Sequence, residues 1–201
     1  MRITSLSASN IILLITLALS LTAIFGSKNL YDKLLFHPWS IKRNNEWHRF
    51  VTMGFIHADI SHLLFNMLTF YFFAYKLELL FGTKQFIVIY FGSMIISSIT
   101  TYIKQRDNPD YRAVGASGAI SGVLFSYILF DPATRIAFFF IPVGIPAPIF
   151  AILYLTYCWY AARHARDYVN HSAHLWGALA GLVLTIIMAP GIVPFFLKHV
   201  F

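Results

Sequence analysis

Charge is scarce in this chain. Of its 201 residues only 11% are Asp, Glu, Lys or Arg, and 8 are acidic. Soluble domains carry about twice that share of charge. There is a single cysteine, Cys158, which excludes an internal disulfide framework; lying in an apolar run, it reads as a packing residue. The sequence has no basic helix, no interleaving of basic with aromatic residues, no repeat and no low-complexity tail. The 15 Lys and Arg give a formal charge of +7, but they are spread over the polar connections as membrane-flanking charges are. No nucleic-acid partner is expected.

Apolar residues fill the space that charge leaves. The chain is 58% hydrophobic with 20 Phe, and its mean hydropathy is +0.68. This composition predicts an all-α membrane protein, one polytopic domain over residues 1–201 rather than two. Six spans are expected, at about 9–26, 60–80, 85–104, 115–131, 146–164 and 172–190. The first has a signal-peptide-like length after Met1-Arg2. It lacks a small-x-small cleavage site and five apolar runs follow, so it is read as an uncleaved span. The connection from Ser27 to Asp59 mixes Phe36, Trp39, Trp47 and Phe50 with Lys42, Arg43 and Arg49, a mixture that suits the bilayer interface. Residues 136–148 are apolar but interrupted by Pro142, Gly144, Pro146 and Pro148, which prevents a continuous helix. Phe138–Ile141 is read as an interfacial connection, with the fifth span starting near Pro146.

The fourth span is short. Ser117 to Phe130 is 14 residues, about 21 Å of helix, against a hydrocarbon core of about 30 Å. If its far end reaches the interface, Ser117 lies about 10 Å below the near one. The loop from Gln105 to Val114 must then dip into a protein-lined, water-filled cavity. Polar residues inside spans are costly and usually functional. Four stand out: His62, Asn66, Ser117 and His174. All open even-numbered spans, which run in one direction, so the four are expected on one side of the membrane at similar depth. His62 and Asn66 share a helix face at i, i+4 and both can donate hydrogen bonds. With the Ser117 backbone N–H at a helix start, they could hold a developing oxyanion. Gly118-x-x-x-Gly122 follows the serine and Gly177-x-x-x-Gly181 follows the histidine, a spacing that lets two membrane helices approach closely. No carboxylate accompanies His174; the nearest preceding acid is Asp167. A Ser–His dyad therefore fits better than a triad. His171-x-x-His174 has ligand spacing but no acid or thiolate set beside it, so no metal is expected.

These motifs resemble those of the rhomboid family of intramembrane serine proteases. Gly115-Ala116-Ser117-Gly118 looks like its Gly-x-Ser-Gly nucleophile motif. Ala173-His174-Leu175-Trp176-Gly177, continued to Gly181, looks like its Ala-His-x-x-Gly-x-x-x-Gly motif. His57 to Asn66 is similar to its His-x4-His-x3-Asn pattern, and Glu46-Trp47-His48-Arg49 matches the acidic and Arg positions of its first-loop motif. The resemblance covers about residues 9–190. It implies a six-helix bundle with Ser117 as nucleophile and His174 as general base and then acid. His62, Asn66 and the Ser117 N–H would form the oxyanion hole. His57 would support them, Glu46 and Arg49 would stabilise the first loop, and Gly82, after Glu78, would cap the second span. Two positions depart from the pattern. His48 stands where the family has Trp, and Ser121 where many members have an aromatic residue against the catalytic histidine.

The implied activity is endopeptidase cleavage of transmembrane protein substrates that enter laterally from lipid, without metal or organic cofactor. Two other classes compete. A non-catalytic rhomboid-like protein that binds membrane clients would typically have lost the Ser or the His. A small transporter would show paired broken helices or inverted repeats, which the sequence lacks. Loops after odd-numbered spans carry ten Lys or Arg and the other side five, so charge alone places the active-site side in the cytoplasm. The resemblance implies a bacterial inner membrane with the site open to the periplasm, and that orientation is adopted here.

Overall fold

The computed structural model describes residues 7–138, 141–167 and 169–201. Helix α1 runs from Ala8 to Phe25 and starts at Ser7, whose side chain accepts from the Asn10 N–H. Its first amides are held from another helix. The Glu78 carboxylate accepts from the Ala8 and Ser9 N–H groups, each at 2.9 Å, so an anion sits at the positive end of α1. Glu78 belongs to α5, Ile60–Phe81, which begins at an Asp59 cap and ends at Gly82 with φ +97. That left-handed backbone favours glycine, and the Gly82 N–H closes the helix on Glu78 O.

Between these two helices the chain does not wander. It forms short helices α2, Lys28–Leu34, α3, Pro38–Asn44, and α4, Arg49–Thr52, then a 3-10 turn, Met53–Phe55. Arg49 is buried among them. Its guanidinium donates to Asp32 O at 2.8 Å, to Leu35 O at 2.7 Å and to Glu46, tying three parts of the loop together. Phe36 and Ala113 exchange backbone hydrogen bonds at 2.9 and 3.1 Å, which fastens this loop to the one ahead of Gly115.

Helix α6 spans Thr83–Gln105, α7 Ser117–Phe130, α8 Ala147–His164 and α9 His171–Met188. Every residue of α7 from Gly118 to Leu129 is buried, so this short helix is the centre of the molecule, packed by α5, α6 and α9. Among the described residues four helices, α1, α5, α6 and α9, are long and apolar enough to cross a membrane, and α7 is a shorter apolar helix. Large apolar side chains such as Leu64, Leu79, Ile103, Ile152 and Ile187 are more than half exposed, a surface suited to lipid.

The proline-rich segment differs from its sequence reading. Arg135–Phe138 and Ile141–Pro146 form an antiparallel pair, β1 and β2, with Arg135 opposite Pro146 and Ile136 opposite Ile145. Proline forbids helix interior here but not a two-stranded ribbon, where each strand has a free edge. The expected interfacial connection Phe138–Ile141 falls partly on residues 139–140, outside the described residues. A further helix, α10, Ile192–Val200, follows α9 with Ile192 turned inward.

Candidate active site

Ser117 is the first residue of α7. The chain turns into the helix at Gly115, whose φ of +109 is strained for any residue with a side chain. The Gly115 N–H donates to Met53 O at 3.0 Å. A Cβ at Gly115 would lie 2.7 Å from His62 Cε1 and 2.8 Å from His62 Nε2, so the bare backbone rests against that imidazole. His62 and Gly115 are thus brought together, two residues from Ser117.

His57 packs edge-on against His62, with ring centroids 4.9 Å apart. Ser20 Oγ donates to Phe55 O at 3.0 Å and so accepts from His57 Nδ1 at 2.9 Å. This fixes the tautomer: Nδ1 carries hydrogen and Nε2 a lone pair, buried and without a partner among the described residues. Burial, helped by His62, pushes His57 down to about 3, so it stays neutral at physiological pH. Asn66 is buried nearby, but its Nδ2 donates to His62 O at 2.9 Å along its own helix. One amide hydrogen remains unused.

His174 lies in the first turn of α9, which packs on α7 at its glycines. A Cβ at Gly177 would collide with the Gly118 carbonyl and come within 2.9 Å of Gly118 Cα; one at Gly181 would strike Gly122 in the same way. The two backbones therefore touch directly. The sequence anticipates this pairing but not a third participant. Ser97 and Ser93 of α6 fill the space beside Gly118 and Gly122. Ser117 and His174 are both half-buried at this junction, and among the described residues no hydrogen bond joins their side chains.

Three further groups lie beyond the sequence motifs. Asn170 caps α9 by accepting from Ala173 N–H at 3.0 Å and donates to Thr101 Oγ1 at 2.9 Å, pinning the His174 helix to α6. Ser121 is hydrogen-bonded at 2.7 Å to the Tyr154 hydroxyl of α8. A cavity of about 30 Å³ reaches Ser117 and is lined by Met94, Ser97, Ser98, Thr101 and Asn170. That exceeds the roughly 10–15 Å³ needed to hold a water, and the lining supplies polar partners.

The rhomboid-domain family model matches residues 44–191, a stretch that contains Glu46, Arg49, His57, His62, Asn66, Ser117 and His174. The chain belongs to the rhomboid family. It is 35% identical over 144 residues to the rhomboid YdcA of Bacillus subtilis (strain 168), covering 72% of this chain and 68% of YdcA. It is 28% identical over 142 residues to rhomboid protease GluP of the same organism, covering 71% of this chain and 26% of GluP. With the mitochondrial RHOMBOID-like protein 12 of Arabidopsis thaliana the identity is 27% over 157 residues, 70% of this chain and 46% of the relative. The chain thus spans less than half the length of the latter two. With its apolar helices, this rhomboid is a multi-pass membrane protein.

Proposed function

We propose that this rhomboid is an intramembrane serine endopeptidase, one polytopic unit with six spans formed by α1, α5, α6, α7, α8 and α9. Ser117 is the nucleophile and His174 the base. The observation that carries the reading is the backbone contact of Gly118 with Gly177, which sets the start of α7 beside the first turn of α9. Ser117 Oγ bonds to the scissile carbonyl carbon as its proton passes to His174. The oxyanion is received by His62, Asn66 and the Ser117 N–H, which as a first helix amide has no intrahelical acceptor. The C–N bond then breaks, His174 returns the proton to the leaving amine, and water hydrolyses the acyl ester. Support for the oxyanion site comes from Gly115, which seats the His62 ring next to the helix start.

Substrates are transmembrane segments entering laterally from lipid. The site opens to the periplasm of a bacterial inner membrane. His57, Gly115, Gly118, Gly177 and Gly181 support the geometry, and Glu46 and Arg49 hold the first loop.

A second reading, a non-catalytic rhomboid-like protein that binds membrane clients, has one observation on its side: no hydrogen bond joins Ser117 and His174 among the described residues. In substrate-free enzymes such bonds are often long and tighten on binding, which favours the protease. Co-expression with a model transmembrane substrate separates the two. The protease reading expects cleavage by wild type and none by Ser117→Ala or His174→Ala. Equal cleavage in all three ends it; capture of uncut substrate by all three supports the binding reading.

A further inference from the structure

His174 lacks what a general base needs behind it. A base acts best when a second group holds its other ring nitrogen and balances the imidazolium that forms. The described hydrogen bonds of His174 stop at its backbone N–H, which donates to Asn170 O. Its described ring neighbour is His171, one turn earlier on the same helix, edge-on with centroids 6.1 Å apart.

His171 has the complementary deficit. It is 5% exposed, and its Nε2 donates to the Asp167 carboxylate at 3.1 and 3.2 Å. With Nε2 carrying hydrogen, Nδ1 of the neutral ring is a lone pair. That atom is buried and has no hydrogen-bond partner among the described residues. An acceptor left unpaired in the interior is costly and calls for a donor. Tyr157 of α8 also packs edge-on against the His171 ring, with centroids 5.4 Å apart. So an oriented, carboxylate-backed acceptor stands next to a base that has no acceptor.

We infer that His171, buttressed by Asp167, is a positioning residue for His174. It offers its Nδ1 lone pair to the second ring nitrogen of His174 when His174 becomes an imidazolium. The pair Asp167–His171 thereby takes the place that a carboxylate holds in a Ser-His-Asp triad. Only a hydrogen bond is made: the Ser117 proton stays on His174 until the leaving amine takes it, and Asp167 stays ionised. The inference rests on the protease reading and deepens it.

The test uses the full chain in detergent with a model transmembrane substrate. The titratable and charged groups about the two rings are Asp167 in the preceding loop, Tyr157 of α8 and His62 of α5. His171→Leu keeps apolar bulk and removes the acceptor. It should lower kcat about 10- to 100-fold, the usual cost of losing a histidine's outer partner, with KM little changed. The acid limb of the kcat–pH profile should move to lower pH, because an imidazolium without its acceptor gives up its proton more readily. Asp167→Asn should move the limb the same way by less. His171→Asn, which restores an acceptor oxygen near the Nδ1 position, should recover part of kcat. A purely structural role would lower thermal stability and leave the limb in place, and that result overturns the inference. A second readout does not depend on cleavage: the titration of the His174 Cε1 resonance by NMR. A midpoint unchanged by His171→Leu overturns the inference even if the protease reading holds, while wild type without Ser117-dependent cleavage would overturn that reading instead.

Discussion

The backbone N–H of Gly115 donates to the carbonyl of Met53 at 3.0 Å, so the residue that turns the chain into α7 is fastened to the end of the first loop. Arg49 and the Phe36–Ala113 bridge make that loop a folded platform rather than a tether. The position of Ser117 is therefore set from two sides, by the first loop above and by the α7–α9 glycine junction beside it.

Gly115→Ala tests the first of these supports. The new methyl group would have to adopt φ +109 and would press on the His62 ring. Such strain costs about 1–3 kcal/mol. Thermal unfolding in detergent should show that loss, and substrate cleavage should fall further than stability because His62 is displaced. Gly191→Ala, with nothing within 4 Å of the added carbon, serves as the control and should match wild type in both measurements. Wild-type cleavage by Gly115→Ala would separate His62 from the site.

Gly177→Ala tests the second. Its Cβ meets backbone atoms of Gly118, which cannot swing aside, so α7 and α9 must separate. Overpacking of this kind costs about 1–3 kcal/mol, and cleavage should be lost as Ser117 and His174 draw apart. Gly54→Ala also introduces a short contact, but with the flexible end of Met94, and should be milder. Equal destabilisation by the two variants would show that the helix junction is no tighter than the loop.

Acid should loosen the first loop through Glu46. The Arg49 hydrogen bond holds the Glu46 carboxyl below its ordinary range, against a smaller opposing effect of burial. A carboxyl depressed on folding contributes stability that is fully present above its unfolded value, about 4.3, and lost as pH falls through the folded one. Hydrogen exchange of residues 27–59 should therefore accelerate as pH is lowered through and below that region, once corrected for intrinsic rates. Glu46→Gln should show weaker protection already at neutral pH, by about 1 kcal/mol or less, and little further pH dependence. Identical acid profiles in the two proteins would exclude Glu46 as the cause.

Topology can be read with one cysteine. Asn108 is exposed on the loop before the site, while the native Cys158 is buried and should stay silent. In intact cells Asn108→Cys should react with an impermeant thiol reagent from outside. Labelling only after lysis would invert the proposed orientation and vindicate the charge bias of the loops.

Much of this architecture was legible because membrane helices announce themselves by composition. The expected span at 60–80 is helix α5 at Ile60–Phe81, and the 14-residue estimate for the fourth is the length of α7. Ser117, His62 and the glycine faces were legible for a related reason: polar or bare positions stand out against apolar runs. What escaped had no such contrast. The paired strands 135–138 and 141–146 read as apolar chain broken by proline, and only pairing distinguishes them from a loop. Ser93 and Ser97 look like ordinary helix serines until the glycines of α7 face them. The role of Asn170 depends on the fold bringing Thr101 to it across 69 residues of chain, and no local pattern encodes that.

Asn66→Ala is the sharpest test of the proposed oxyanion hole, because one hydrogen of its amide has a structural use and the proposed use needs only the other. One amide hydrogen of Asn66 is spent on His62 O within α5, a bond the helix can lose for about 1 kcal/mol. The other is available to a substrate oxyanion, and a donor that acts only in the transition state is worth roughly 3–4 kcal/mol, or about 10²–10³ in kcat. The variant should therefore unfold nearly as wild type does, bind substrate with a similar KM, and turn over at least a hundredfold more slowly. Because the lost bond ends on His62 O, a small shift of His62 could mimic part of the effect, so His62→Ala and the double variant complete the comparison. If both side chains hold the same oxygen, the double variant should cost less than the sum of the singles. Strict additivity would assign the two residues to separate tasks, and an unchanged rate in Asn66→Ala would leave its amide a purely structural group.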